Sequence, residues 1–585
     1  MGPTDPPVIR VPVGEGSDRW VSRAAHRRVL LVVHNIASAG RLLDVLPLFH
    51  DDFRVQLLIT STESSVFQGG TRRLFAELNL PVMPWDQALR TPVDLAISAS
   101  FGGQLHCLKS HLTILSHGVG YTKRLAKPGA DREPTGSRPG ADREPTGSRP
   151  GADREPTFGL SPDWLLADGE PFVDGLVLSH PEQLERLRRA CPEAEKAAVL
   201  AGDPCFDRML AARPYRERFR RALGLRRGQR LIVVNSTWNP EGLFGSGGGQ
   251  DVLPSLLPRL AAELPADDYR LAAVLHPNIW YGHGPGQIRV WLDRARRSGL
   301  TLIDPVHAWR QALLAADIVL GDFGAVTYYA AALGCPVLLA AAGEERLDPE
   351  APLAAFVRDA PRLDPQGPLR EQFEELLARH RPLAGPAEFT TSAPGASAEL
   401  LRRHFYTLMD LTEPVAPALL EPLPLPPYDP PLRTHPLDVR ARVRGLDVVI
   451  ERSAGHPYDA DGEAHRAVHE DTRDPGDLET ADVIWRDGPR DDPRMGGPAS
   501  WTAEMLHRHP HCSLAAYVSG PDRCTVRARG HGVFQLSAGP AADADPAVYA
   551  SALHAWLAHS GEVPPGGATL RVHVAGGMHP VVCTR

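Results

Sequence analysis

The sequence predicts an α/β protein of two consecutive doubly wound, Rossmann-like domains, followed by a smaller C-terminal α+β domain. Three observations predict it. Short apolar runs of strand length alternate with helical patterns from residue 28 to about 385, as parallel strands buried on both faces require. The series occurs twice, in units of similar size. Nine prolines then fall between Pro414 and Pro436, and the residues beyond them mix short strand-like runs with helices.

Taken in order, residues 1–27 read as a polar tail. The first unit spans 28–205. Residues 29–33 form its first strand, 35–40 turn into a helix over 41–49, and 55–59, 94–98 and 113–115 follow as strands. Within it an 11-residue unit starts at Pro128, repeats from Pro139 and begins a third copy at Pro150. Proline and glycine in every copy exclude a helix, so 128–157 is predicted to be an expanded, mobile surface loop. The second unit spans 206–412, with strands at 231–235, 271–275, 301–303, 318–320 and 337–339 and helices at 369–379 and 398–411. Residues 413–436 read as a semi-rigid proline-rich linker. In the last domain, 437–585, strands are expected at 447–451, 514–518, 523–527, 532–536 and 569–574, and helices at 502–507 and 547–559.

The 585 residues are 43% hydrophobic and 23% charged, proportions of a soluble globular chain with room for several cores. A formal net charge of −8 argues against a nucleic-acid partner, which would need a basic surplus. No apolar run reaches membrane-spanning length. The start of the sequence has neither a basic region nor an apolar core of the secretory kind. Seven scattered cysteines without a C-x-x-C pair fit reduced thiols, so a cytoplasmic protein is expected. The arginines from Arg216 to Arg230 read as a solvated helix face, with contact to anionic lipid as the alternative. His465 and His469, read on one helix, and the cluster His507, His509, His511 and Cys512 are the metal candidates. The sequence places no third ligand beside the first pair.

Four segments carry the chemistry, each directly after a predicted strand, where ligands of doubly wound sheets sit. Ser116-His117-Gly118 follows the strand 113–115, and a histidine there can take a proton from a hydroxyl. Ser236 and Thr237 end the strand 231–235 and lead into the glycine-rich stretch 242–249, which is either a phosphate-holding turn or a flexible lid. His276 ends the strand 271–275 and can hydrogen-bond a pyrophosphate. Gly321-Asp322-Phe323-Gly324-Ala325-Val326-Thr327 is a small-residue turn opening a helix, whose free amides and positive dipole end suit a diphosphate. Polar groups converging on the mouth of two facing sheets are what a nucleotide-activated donor and a hydroxyl acceptor need.

The order of these motifs, with Gly202, Asp203, Pro204 and Asp207 between the first and second and Tyr329, Leu333, Gly334 and Pro336 after the last, resembles the CDP-glycerol glycerophosphotransferase group, which builds teichoic-acid-type polymers. The resemblance covers about residues 28–385. It implies the two-domain GT-B arrangement and a transferase moving a glycerophosphoryl or glycosyl group from a nucleotide-diphosphate donor to a hydroxyl acceptor. Under it His117 is the base, and His276 and the Asp322–Thr327 turn hold the donor's phosphates. The residues read on their own add Ser236, Thr237, Gly324, Ala325, Val326 and Thr327 as donor-binding, and Asp322 as a catalytic residue orienting His276 or a donor hydroxyl. No cofactor or metal is expected, helix dipoles serving in place of a divalent cation. A lipid-linked acceptor would bring peripheral contact with the inner membrane face. The sequence departs from the group where Gly324 and Ala325 replace paired serines, and where Val119-Gly120 follow His117-Gly118. Two alternatives stand beside this reading: a UDP-N-acetylglucosamine 2-epimerase-like enzyme, which usually carries an acidic pair where Tyr328-Tyr329 stand here, and an inactive GT-B-fold binding protein.

Overall fold

The computed structural model describes residues 8–23, 27–116, 118–124, 156–247, 251–455, 463–488, 494, 496–539, 542–565 and 567–585. Two parallel sheets form the first two-thirds of the chain. The first has seven strands in the spatial order Val82–Met83, Val55–Ser61, Arg27–Val33, Leu95–Ser98, His111–Ile114, Gly175–Leu178, Ala198–Leu200. The second has five, in the order Thr301–Leu302, Tyr269–Leu275, Arg230–Ser236, Ile318–Gly321, Val337–Leu339. In both, the first strand of the unit lies inside the sheet and the order reverses beside it, which defines a switch point at its carboxyl end. The apolar runs explain the strands: Val29, Leu30, Leu31, Val32 and Val33 are all buried, as are Leu231, Ile232, Val233 and Val234.

The sequence places the first helix at 41–49, but it runs from Ile36 to Val45. Asn35 caps it: its side chain accepts from the Ser38 amide while Ser38 Oγ accepts from the Asn35 amide, a reciprocal capping box. Residues 36–40 are therefore helix and not turn. The tail is also partly docked, since Ile9 exchanges two hydrogen bonds with the Gln87 side chain and Val13 is buried. The helix Ser397–Leu408, assigned by sequence to the second unit, returns to the first sheet, where Phe405 stacks on Phe49 with ring centroids 5.7 Å apart. Asp207 anchors this crossing by accepting from the Gly395 and Ser397 amides.

The proline-rich stretch has no helix or strand over residues 411–432, yet it is tied down: Glu421, Pro424 and Asp429 each offer a carbonyl to an arginine or glutamine of the two units. Beyond it lies a closed barrel of nine strands, a form the α+β expectation did not contain. Strands Leu437–Arg444, Glu463–His469, Val483–Asp487 and Gly577–Thr584 join those predicted. The helix Pro546–Ser560 runs among them, with Ala547–Leu553, Ala555 and Trp556 buried, so its faces are apolar all round. His465 and His469 stand on a strand and not a helix. Four residues of strand separate them by about 13 Å, which excludes one shared ion. Among the described residues no group of three or more His, Cys, Asp or Glu could hold a metal, and no helix is long and apolar enough to cross a membrane. Arg216, Arg220 and Arg230 pair with Asp317 and Glu374, so this basic run is engaged within the protein.

Candidate functional site

A cavity of about 190 Å³ lies between the two sheets at their switch points. From the first lobe it is lined by Ile36, Ala37, Gly40 and Arg41, by Ser116 and by residues 118–123. From the second come Ser236, Thr237 and Trp238, His276 and Pro277, Pro305 to Arg310 in part, and Phe323 to Val326. Ser236, Thr237, His276, Gly324, Ala325 and Val326 are thus brought together as the motifs suggested. His117 lies outside the described residues; its neighbours Ser116 and Gly118 both line the cavity. Most of the repeat loop, 125–155, and the glycines 248 and 249 also lie outside them.

Asp322 is not on the cavity wall. It is fully buried, and its carboxylate accepts from the amides of Thr237 (2.9 Å), Leu243 (3.0 Å) and Gly324 (3.0 Å) and from the Ser236 hydroxyl (3.2 Å). Burial raises its pKa, and these donors act in the opposite direction by favouring the charged form. The residue therefore binds the turn after one strand to the turn after its neighbour. Ser236 Oγ also accepts from the Phe244 amide, so residues 237–247 are held in place. Glu241 pairs with Arg346, and Lys123 of the first lobe donates to Asn239 Oδ1 at 2.9 Å while lying over the Trp238 ring. This described part of the glycine-rich stretch is a pinned turn and not a loose lid.

Thr327 is likewise buried and off the wall: its Oγ1 accepts from Asn235 Nδ2 at 2.9 Å and from the Asp322 amide at 3.3 Å. Room for that hydroxyl explains Gly321, where a Cβ would lie 2.3 Å from it. The helix Ala325–Ala332 begins at the cavity with Gly324 at its N-cap and no side-chain cap. Among the described residues, no acceptor sits on the amides of Ala325 and Val326. Gly118 approaches this point from the first lobe. Its φ is +88°, and a Cβ there would stand 3.2 Å from the Ala325 Cβ. His276 caps the helix Pro277–His283 through Nδ1, which accepts from the Asn278 amide at 3.0 Å. That bond leaves Nε2 as the donor of the neutral ring.

Sequence reasoning missed a buried polar cluster behind the cavity wall, of which Arg41, Arg310 and Tyr329 line the cavity. Asp44 on the helix Ile36–Val45 takes two hydrogen bonds from Arg310 (3.0 and 2.7 Å) and one from Arg208 (2.5 Å). Arg41 donates through Nη2 to Tyr329 Oη at 3.1 Å, and Tyr329 donates onward to Asp203 or to the Gly118 carbonyl. Asp203 also accepts from the Cys205 and Phe206 amides, capping the helix Pro204–Ala212. Burial raises its pKa against the nearby Arg41 charge. The only available signal was the Gly202-Asp203-Pro204 motif; Arg41 was hidden by placing its helix start too late.

No family model matches the sequence, and no curated protein matches it. Solved structures with a similar chain course include the wall teichoic acid polymerase TagF, at 13% identity over 66% of this chain and 90% of that one, with a TM-score of 0.41. They also include UDP-GlcNAc 2-epimerase of Methanocaldococcus jannaschii in complex with UDP-GlcNAc and UDP, at 12% identity over 65% of this chain and 99% of that one, with a TM-score of 0.41. A third is Anabaena Alr3699/HepE in complex with UDP-glucose, at 11% identity over 66% and 98%, with a TM-score of 0.32.

Proposed function

We propose that the protein is a GT-B-type transferase that moves a glycerophosphoryl or glycosyl group from a nucleotide-diphosphate donor to a hydroxyl acceptor. The observation that carries this reading is the shared cavity at two switch points, where Ser116 and Gly118 of one lobe face Thr237, His276 and the uncapped helix start at Gly324–Val326 of the other. In this reading the first lobe presents the acceptor and His117 removes its proton as the new bond forms. His276 Nε2 and the amides of Ala325 and Val326 hold the donor's diphosphate and stabilise the charge on the leaving group, a nucleoside monophosphate when the P–O–P bond breaks to transfer a glycerophosphoryl group and a nucleoside diphosphate when a glycosyl group is transferred. Asp322 acts by fixing the turns that carry these groups, and not by touching the reactants. Backbone amides take the place of the family's paired serines at Gly324 and Ala325. In the epimerase alternative, Tyr328 and Tyr329 would have to replace an acidic pair; Tyr328 packs edge-on against Phe356 and Tyr329 hydrogen-bonds to Asp203. A cytoplasmic setting, with peripheral membrane contact for a lipid-linked acceptor, follows only as part of this proposal.

The test is nucleotide release from CDP-glycerol and a panel of UDP- and GDP-sugars, with His117→Ala beside the unaltered protein. One donor should turn over, and the variant should lose at least about a hundredfold in kcat, the usual worth of a general base. Equal turnover by the variant would remove His117 from the mechanism. Donor binding without any turnover would support the inactive binding protein instead.

A further inference from the structure

The basic run from Arg216 to Arg230 is not engaged throughout. Among the described residues, the guanidinium groups of Arg226 and Arg227 make no hydrogen bond. Arg226 Nη1 comes no closer than 4.0 Å to Asp267, beyond hydrogen-bond range, and that carboxylate already accepts twice from Arg452. The backbone of the two arginines, by contrast, is fixed. The Arg226 amide donates to Gln229 Oε1, and its carbonyl accepts from the Gln229 amide. The Arg227 amide donates to the Asp543 carboxylate of the barrel at 2.6 Å. Gln229 is itself buried and donates to the Ala266 carbonyl. A turn held this firmly presents two permanent cations that the protein itself does not use.

Both arginines line a cavity of about 450 Å³ at the junction of the second lobe and the barrel, larger than the cavity between the lobes and within the range usual for small-molecule sites. Its other wall is the hairpin of strands Thr569–Val574 and Gly577–Thr584, which contributes Val574, Met578 and His579. The walls meet closely: Gly228, at φ +78°, stands where a Cβ would lie 3.3 Å from the Ala575 carbonyl oxygen. Burial lowers the pKa of His579, so its ring is neutral at pH 7 and offers one donor and one acceptor. The acidic groups of the wall are Asp267, taken by Arg452, and Asp543, which accepts from the Arg227 amide.

We infer that this junction is a second ligand site, separate from the cleft, that takes a small organic phosphate. Two guanidinium groups on one turn match a dianion better than a single carboxylate charge, and each offers paired N–H groups to the phosphate oxygens. The apolar wall of Val574, Met578 and Ala544 covers the organic body, which an inorganic ion would lack. The site stands apart from the donor reading and gives the barrel a part to play. The second lobe holds the phosphate and the barrel hairpin holds the body, so an occupied site fastens one to the other.

Calorimetry on the full chain tests it, with phenyl phosphate, inorganic phosphate and phenol as probes. Phenyl phosphate should bind, inorganic phosphate at least about tenfold more weakly for want of a buried ring, and phenol not at all. Arg227→Gln, at an exposed side chain, should weaken phenyl phosphate by about 10- to 100-fold, as the loss of a charged hydrogen-bond donor does. Met578→Glu, at a position 51% exposed on the opposite wall, should weaken it as well, and decides the matter should Arg227→Gln fail to fold. Hydrogen exchange should slow at residues 226–229 and 574–580 when phenyl phosphate is present. Unchanged affinity in either folded variant, or protection confined to the cleft around His276, overturns the inference. Phenol or inorganic phosphate binding as tightly as phenyl phosphate overturns it too, as does no binding of phenyl phosphate. Each of these outcomes leaves nucleotide release in the cleft, and its His117→Ala test, untouched.

Discussion

At the end of the first strand, His34 is 2% exposed, its Nε2–H donates to the Gly102 carbonyl at 2.6 Å, and Nδ1 has no partner. Burial lowers its pKa from 6.5 to about 4. His465, in the barrel beside His554 with ring centroids 4.4 Å apart, is shifted in the same direction by burial and by its neighbour. Between about 6.5 and 4 the unfolded chain takes up a proton that the folded ring refuses, so the folded state loses ground as pH falls through that window and is unaffected above it. Urea unfolding should show a midpoint that is level from pH 8 to 7 and drops steadily toward pH 4.5. His34→Gln should flatten part of that slope, and an unchanged slope would assign it elsewhere. Neither residue was legible as a titrating group, because a histidine letter says nothing of its burial. The same blindness made Asp322 look catalytic: a buried acceptor for three amides and a reactive carboxylate read alike in sequence, and only the geometry separates them.

Among the elements, the turn from the strand Ile318–Gly321 into the helix Ala325–Ala332 rests on one missing Cβ. Gly321→Ala would put a methyl group 2.3 Å from Thr327 Oγ1. Overpacking of this kind costs about 1–3 kcal/mol. Thr327→Ala removes the obstacle, so the double variant should be more stable than the sum of the single losses predicts, by 0.5 kcal/mol or more in a double-mutant cycle. Strict additivity would show that the clash is relieved some other way. The strands read in the two sheets were legible because their apolar runs are unbroken; Val82–Met83, Gly175–Leu178 and Ala198–Leu200, each of four residues or fewer, were not read as strands. The barrel strand Leu437–Arg444 also went unread, although it alternates Leu, Val and Ala inward with Asp and Arg outward, the pattern of a half-buried strand. Glu463–His469 was mistaken for helix because its inward positions are histidine and alanine, residues that carry no strand signal.

Across the whole molecule, the lobes are fastened by the buried pair of Asp44 in the first and Arg310 in the second. Asp44→Ala strands two guanidinium groups, and breaking a buried pair from one side typically costs 3–5 kcal/mol. The variant should unfold at correspondingly lower urea. Small-angle scattering should show a larger radius for its folded form, the outcome that separates loosened lobes from a merely weaker core. The cavity of about 190 Å³ is smaller than the roughly 300–1,000 Å³ usual for small-molecule sites. That two lobes exist was readable from the doubled strand–helix series; their fastening was not, because its partners stand far apart in the chain and meet only through the fold.

The crossing helix Ser397–Leu408 has a bearing on how the protein is made. Phe405 and Tyr406 cover Phe49, but a ribosome delivers them only after the entire second sheet. Until then the nascent first lobe carries an uncovered apolar face through most of its synthesis, a natural foothold for a chaperone. Its folding is completed from a distance, by a piece of chain that arrives late.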